Sequence, residues 1–429
     1  MSANQVASAT SFISFTSPKS TTLSEPTGLD KTVLWFLIIG AILTKNRFFI
    51  EGVSIGDVLF GCALLLLFYA SSAEAYLQLL MDQRICLLFL FLLSALMGGF
   101  YLSIQVPFVF SPGNLLKALL KLLFYVGVTA FALTFLNRLP RAFIWDTVLN
   151  GLTVSALITL YIYVVMSLQL NLPYDFFWYG HSEVLRDGGF YRQSGIFTGG
   201  AVLAKGLFSE PSYLGVFNNL GLAYLYFSIK NKLQLFGWKH LIIILTLLLS
   251  FSLTSYILLA FIIMLLLVDS NNMKSIAIVS LFVAVFLLTL VASEFLQEVI
   301  VNRIGTIFRD GDNSVTLRVL GSWEVAINFL KRSFFFGAGI GHFDIAQASL
   351  PVSQYGMGED TQGWNILAYV SGTMGILGLT LFMLIIAGLF RHQYLLGFVL
   401  VAAMFTTGAF LEPTFWFFYC LFSTTKESD

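Results

Sequence analysis

Charge is what this chain has least of. Of its 429 residues 11% are Asp, Glu, Lys or Arg, while 58% are hydrophobic. A soluble domain carries about 25% charged residues. The deficit, together with repeated long apolar runs, excludes an ordinary water-soluble globule. It indicates an all-α, multi-span integral membrane protein. A net field of either sign is also missing, because 23 basic residues meet 23 acidic ones. That balance argues against nucleic acid as a partner. The three cysteines, Cys62, Cys86 and Cys420, sit in or beside apolar runs. They form no disulfide framework and no metal-ligand spacing, and they read as buried small hydrophobes. Residues 1–31 are rich in Ser and Thr and hold no apolar run of signal length. They read as a poorly ordered cytoplasmic tail, ahead of one polytopic membrane domain over 32–429.

Runs of about 18–20 apolar residues mark single crossings. They are expected near 32–50, 54–73, 85–104, 115–136, 145–168, 211–229, 275–295, 364–389 and 394–410. Leu241–Val268 is long for one crossing and carries Ser250, Ser252, Thr254 and Ser255 in its middle. It reads as two short tilted spans with a polar turn, the other option being one kinked span. Thr414–Phe422 is short, either a final span or an interfacial segment. The sum is about twelve transmembrane helices.

Short loops carrying Arg84, Arg138 and Arg141, Lys230, Lys232 and Lys239, Lys274, and Arg391 all fall on one side. The positive-inside rule makes that side cytoplasmic. The loop with Lys45 and Arg47 breaks the rule. Two large loops, at about 169–211 and 296–363, face the other side, which in a Gram-negative inner membrane is the periplasm. Stretches within them concentrate the charge: Pro173–Pro211 and Glu294–Thr361 hold 7 and 13 of the 46 charged residues. Lipid cannot easily accommodate unpaired charge, so polar chemistry is expected there.

The first loop ends in Lys205-Gly-Leu-Phe-Ser-Glu-Pro-Ser-Tyr-Leu-Gly215. Pro211 suits the first residue of a helix. Glu210 then lies beside a positive helix end, placed to act as a base, to hold an arginine, or simply to cap the helix. Lys205 and Tyr213 join it as substrate-binding candidates. Arg192 and Arg186 could grip phosphate oxygens bidentately or be solvated loop charges.

In the second loop Arg303, Arg309 and Arg318 recur where the headgroup of a lipid-linked pyrophosphate would lie. A pyrophosphate leaving group needs fixed positive charge. Asn313 or Ser314 can cap a helix over Ser314–Lys331, with Leu320, Trp323, Ile327 and Leu330 on one face. Such a helix would lie on the membrane surface and orient Arg318. Asp310-Gly-Asp312 has the carboxylate spacing of metal-dependent sugar transferases but suits a turn and cap better. Gly337, Gly339 and Gly341 form a turn leading to His342. No strand precedes them, which excludes a nucleotide-binding reading. Glu359, Asp360 and Gln362 close the loop, as solvated rim or as groups that position a sugar hydroxyl.

Three segments together resemble the O-antigen polymerase and ligase superfamily. They are Gly206–Gly215 with its Glu-Pro-Ser core, then Arg318-Val-Leu-Gly-Ser-Trp323 with Phe336–Phe343, then Asn365 followed by Gly375-Ile-Leu-Gly378. Ligases of this superfamily carry a histidine immediately before the asparagine; here Trp364 stands there. The departure favours polymerase over ligase and leaves the base open among Glu210, His342 and Asp360. The resemblance implies a fold similar to the C-type glycosyltransferases, working without metal or other cofactor. It implies that a growing glycan moves from undecaprenyl pyrophosphate to the terminal sugar of a new lipid-linked repeat. Asn365 joins the substrate-binding candidates on this ground. Membrane lipid, a chain-length regulator and a flippase are the further partners it suggests.

A transporter such as a lipid-linked-sugar flippase is the competing class. It would place charge inside the spans and keep the outer loops short. This chain does the reverse, although Asp146, Lys117 and Lys121 lie within or at the edge of apolar runs.

Overall fold

The structure, a computed structural model, describes residues 25–44, 53–71, 76, 79, 81–105, 111–173, 204, 206–208, 211–228, 237–250, 252–269, 321–341, 365–390, 393–405 and 409–424. Their regular structure is helical. In chain order the helices are α1 (Gly28–Ile42), α2 (Ile55–Ala70), α3 (Gln83–Gln105), α4 (Pro112–Leu136), α5 (Arg141–Ser167) and α6 (Pro211–Phe227). They continue with α7 (Trp238–Leu249), α8 (Leu253–Asp269), α9 (Ser322–Arg332), α10 (Ile366–Phe390), α11 (Tyr394–Met404) and α12 (Pro413–Thr424).

Local chemistry fixes several starts. Thr27 and Asp30 form a capping box at α1, which begins ahead of the apolar run at Thr32. Ser54 and Asp57 do the same for α2. Ser111 caps α4 from the residue before Pro112. Pro211 and Pro413 begin α6 and α12, where a missing N–H costs nothing.

Among the described residues four helices are long and apolar enough to cross a membrane: α3, α4, α5 and α10. The others are shorter, so the described residues show a multi-pass helical membrane protein without fixing twelve crossings. Leu241–Val268 is indeed broken. α7 ends at Ser250, whose hydroxyl donates back to the Leu247 carbonyl at 2.7 Å, and α8 starts at Leu253. Thr414–Phe422 proves to be core rather than interface, since every residue from Pro413 to Ser423 is buried. Cys420 is buried as expected, but Cys62 is half-buried and Cys86 is exposed on α3, so the buried reading fails for both.

α10 is interrupted at Gly375, where φ is 66° and ψ −167°. Two helical hydrogen bonds are lost at this break, and a turn over Phe334–Gly341 replaces both. Ala338 and Gly339 N–H donate to the carbonyls of Gly372 and Thr373 at 2.8 and 2.9 Å. Ile376 and Leu377 N–H donate to the carbonyls of Phe334 and Phe335 at 2.9 and 3.4 Å. Backbone groups inside a membrane protein must find partners within the protein, and the turn supplies them. α9 leads into this turn and packs on α10 through Val325, Ala326 and Phe329. Of the expected stripe, Trp323 packs partly buried against the core, Leu330 is half-buried and Ile327 is exposed. The described part of α9 begins at Gly321, which is itself helical in φ and ψ.

Candidate functional site

α4 serves as a ruler for depth. Its 25 residues span about 37 Å at about 1.5 Å each. Tyr125 stacks on Trp416, centroids 6.3 Å apart. One turn further on, Cys420 Sγ donates to the Thr129 carbonyl at 3.8 Å. α4 and α12 thus run parallel, and Pro413 falls beside the Leu122 level, about 15 Å along α4 from Pro112. α6 starts at the same depth as α12, since Phe217 and Phe418 touch with centroids 5.4 Å apart. α2 starts there too, because Asp57 meets Tyr125 and Lys121. The hydrocarbon layer is about 30 Å thick. Three helices therefore begin near the middle of the α4 span instead of at its end.

The chain ends that meet at this depth form a polar floor under an apolar framework. The Tyr125 hydroxyl donates to Asp57 Oδ1. Asp57 Oδ2 accepts from Ser54 N–H at 2.8 Å and faces Lys121 Nζ at 3.8 Å. Thr44, just past α1, shares a hydrogen bond of 2.8 Å with Thr414 on α12. Both hydroxyl oxygens also lie within hydrogen-bond reach of the Ala41 carbonyl, so that one hydroxyl donates to the carbonyl and the other to its partner hydroxyl or to the carbonyl. Glu412 lies within electrostatic range of the Tyr125 phenol.

Beside these groups is a cavity of about 20 Å³, lined chiefly by Thr44, Phe208, Tyr213, Ile366, Thr414 and Phe415. Tyr213 belongs to the Glu-Pro-Ser segment and Ile366 follows Asn365. Two of the three sequence motifs thus meet at one point. Asn365 is fully buried, and its Oδ1 accepts from Ala368 N–H at 2.7 Å, so it caps the first half of α10. That half-helix, Ile366 to Met374, is held from behind by the glycine turn. The turn in turn reaches α4, where Gly341 lies against the Asn114 carbonyl and Ala118.

The Glu-Pro-Ser segment is anchored from below. Ala204 N–H donates to the Leu249 carbonyl at 3.0 Å. Gly206 has φ +58° and lies against Thr159, a conformation and a closeness that no other residue tolerates. Leu207 and Phe208 are buried in the core. Under them Asn219 Nδ2 donates to the Ser255 carbonyl at 2.9 Å, and Asn218 Nδ2 to Thr246 Oγ1 at 3.1 Å. The polar break between α7 and α8 therefore supports this segment.

Of the candidates read from sequence, Tyr213 and Asn365 are described and brought close together. Glu210, His342, Asp360, Arg192, Arg303, Arg309, Arg318 and Lys205 lie outside the described residues, as do Arg186 and Trp364. Sequence reading noted Lys121 only as a charge at an apolar run and passed over Asp57 and Tyr125. The signal available was charge inside apolar runs, two residues into α2 and nine into α4, which is costly in a membrane unless paired or used. Among the described residues no three His, Cys, Asp or Glu side chains gather into a group that could hold a metal ion.

A family comparison decides which known proteins this chain is like. The model described as O-antigen ligase matches residues 240–383, 144 of the 429 residues. The match covers about a third of the chain and stands as a likeness to that family. The matched region runs from α7 through α8, α9 and the glycine turn to the middle of α10. It is the superfamily that the three sequence motifs resemble. No curated protein and no solved structure gives a significant match.

The Tyr125 contact gives one prediction on stability. Tyr125→Phe keeps the ring on Trp416 but removes the donor to Asp57. Losing one partner of a buried charged acceptor costs about 1–3 kcal/mol. A lowered melting temperature of the purified protein in detergent is expected, and an unchanged one would show that Asp57 does not depend on this bond.

Proposed function

We propose that this protein polymerises undecaprenyl-pyrophosphate-linked oligosaccharide repeat units into a long polysaccharide, an O-antigen, at the periplasmic face of a bacterial inner membrane. The growing chain leaves its lipid pyrophosphate and joins the terminal sugar of a new lipid-linked repeat. The bond between the anomeric carbon and pyrophosphate breaks, and the pyrophosphate keeps the electron pair. The acceptor oxygen bonds to that carbon, and its proton passes to a base among Glu210, His342 and Asp360. Arg303, Arg309 and Arg318, with Arg192 and Lys205, would hold the pyrophosphate. Asn365 and Tyr213 would shape the sugar site.

The observation that carries this reading is the family match over residues 240–383, which includes the arginine-bearing loop and the glycine turn. The preference for polymerase rests on Trp364, which occupies the place of the ligase histidine. A second reading is transfer of finished glycan to the lipid A core, favoured by the description of the matching family as ligase. A flippase and a chain-length regulator are proposed as working partners.

A deletion strain separates the two. Lipopolysaccharide carrying one repeat per core on a gel is expected for loss of a polymerase. Core without any repeat would overturn that reading in favour of ligase.

A further inference from the structure

A lysine inside a membrane span is costly unless it is paired or used. α4 carries two, Lys117 and Lys121, in the half that begins at Pro112. They lie at i and i+4, on one side of the helix and about 6 Å apart along its axis. Asn114 and Ala118 border them, and these are the residues that Gly341 meets at the end of the glycine turn. Lys121 reaches the polar floor. It faces Asp57, and Gly56 beside Asp57 lies against Pro413. Thr414, the next residue, lines the Tyr213 cavity. The two lysines thus lead from near the start of α4 down to the place where two sequence motifs meet.

Folding accounts for little of this charge. Asp57 is already held by the Tyr125 hydroxyl and by Ser54 N–H. Lys121 Nζ stands 3.8 Å from it, beyond hydrogen-bond reach, so the ammonium keeps its donors. The Lys121 side chain is partly exposed. Lys117 is fully exposed and has no ion pair among the described residues. Lys117 alone could simply extend to the membrane surface. Lys121, one turn deeper, has a carboxylate beside it and donors to spare.

We propose that Lys117 and Lys121 hold the diphosphate of a polyprenyl-linked saccharide, one ammonium to each phosphate. The proposal rests on the reading of the protein as an enzyme that transfers glycan from a lipid diphosphate. An ammonium is a compact charge on a flexible stem, so two of them can converge on neighbouring phosphates. Asp57 is then a positioning residue that keeps Lys121 charged and in place. In polymerisation a donor lipid loses its diphosphate and an acceptor lipid keeps its own. Either lipid brings this chemistry to the lysines.

The test uses full-length protein in nanodiscs of neutral lipid, with undecaprenyl diphosphate as the probe and undecaprenol as the uncharged control. Lys117→Met and Lys121→Met keep the stem and remove the charge. Each is expected to raise Kd for the diphosphate about 10-fold or more and to flatten its salt dependence. Undecaprenol binding should not change. Lys121→Arg should stay within about 3-fold of wild type, as should Lys331→Met on α9. Lys117→Met decides the matter if Lys121→Met fails to accumulate, because Lys117 has no ion pair to lose. A Lys117→Met protein that binds the probe within about 3-fold of wild type overturns the proposal. So does equal affinity for phosphatidylglycerol, which would make the lysines a general anchor for anionic lipid. In transfer assays on the same samples, the lipid whose KM rises in the variants is the one seated there. A wild type that binds the probe but glycosylates lipid A core without forming polymer refutes the polymerase reading alone. A wild type that binds no probe refutes the inference with the reading.

Discussion

Gly375→Ala is expected to prevent the protein from accumulating in the membrane. At φ 66° and ψ −167° the residue occupies a region essentially reserved for glycine. Forcing another residue there costs about 1–3 kcal/mol. The new methyl would also meet the carbonyl of Phe335 and the N–H of Phe336, which are backbone and cannot swing aside. Those atoms belong to the turn whose N–H and C=O groups replace the broken helical bonds. Pushing the turn away would orphan several of them inside the membrane domain, at about 1–3 kcal/mol each. The sum reaches the whole stability of an ordinary domain, about 5–15 kcal/mol. Gly388→Ala is the control, since nothing lies within 4 Å of its added carbon on the same helix. Immunoblots of membrane fractions should show Gly388→Ala at wild-type level and Gly375→Ala nearly absent. Equal levels would mean that the break in α10 does not depend on glycine.

How far the sequence was legible depended on whether the cause of each feature was local. Ser250, Ser252, Thr254 and Ser255 sit together in one apolar run, so the break between α7 and α8 could be expected from composition. The break in α10 could not. Its neighbours from Val370 to Leu379 read as continuous span, and the groups that make the break affordable lie on a turn some forty residues earlier in the chain. The same turn was visible as Gly337, Gly339 and Gly341, yet its task of satisfying α10 was not. α12 was hard to assign because its 12 residues are too few for a crossing, and only the packing shows that it begins in mid-span. Asp57 and Tyr125 are 68 residues apart, and no periodicity connects them. At the site, the two charged loops read from hydropathy lie largely outside the described residues, whereas the Glu-Pro-Ser and Asn365 segments do approach each other. What hydropathy concealed was depth, which follows from the register of α4 against α2 and α12.

Arg318→Ala is expected to abolish long glycan chains while the protein still inserts and accumulates. The proposed reaction creates a pyrophosphate leaving group with several negative charges. Its departure needs cations fixed before the bond breaks, in a place where water is scarce. Removing one such donor costs about 10²–10³-fold in rate. Polymer length multiplies the deficit, because each added repeat requires a fresh transfer. In sequence Arg318 comes four residues before Ser322, the first residue of α9. α9 is itself braced on α10, which Asn365 caps and whose first residue, Ile366, lines the Tyr213 cavity. Arg318→Lys preserves charge but loses the two-pronged fork that fits phosphate oxygens, so shortened ladders are expected from it. Lys331→Ala, an exposed cation at the other end of α9, should leave the ladder unchanged. Lipopolysaccharide gels of the three variants, with lipid-linked repeat measured in parallel, report the outcome. Accumulated lipid-linked repeat with no ladder in Arg318→Ala alone supports pyrophosphate binding. A normal ladder in Arg318→Ala would sink the assignment, and the loss of all three ladders would point instead to a general demand for positive charge on this surface.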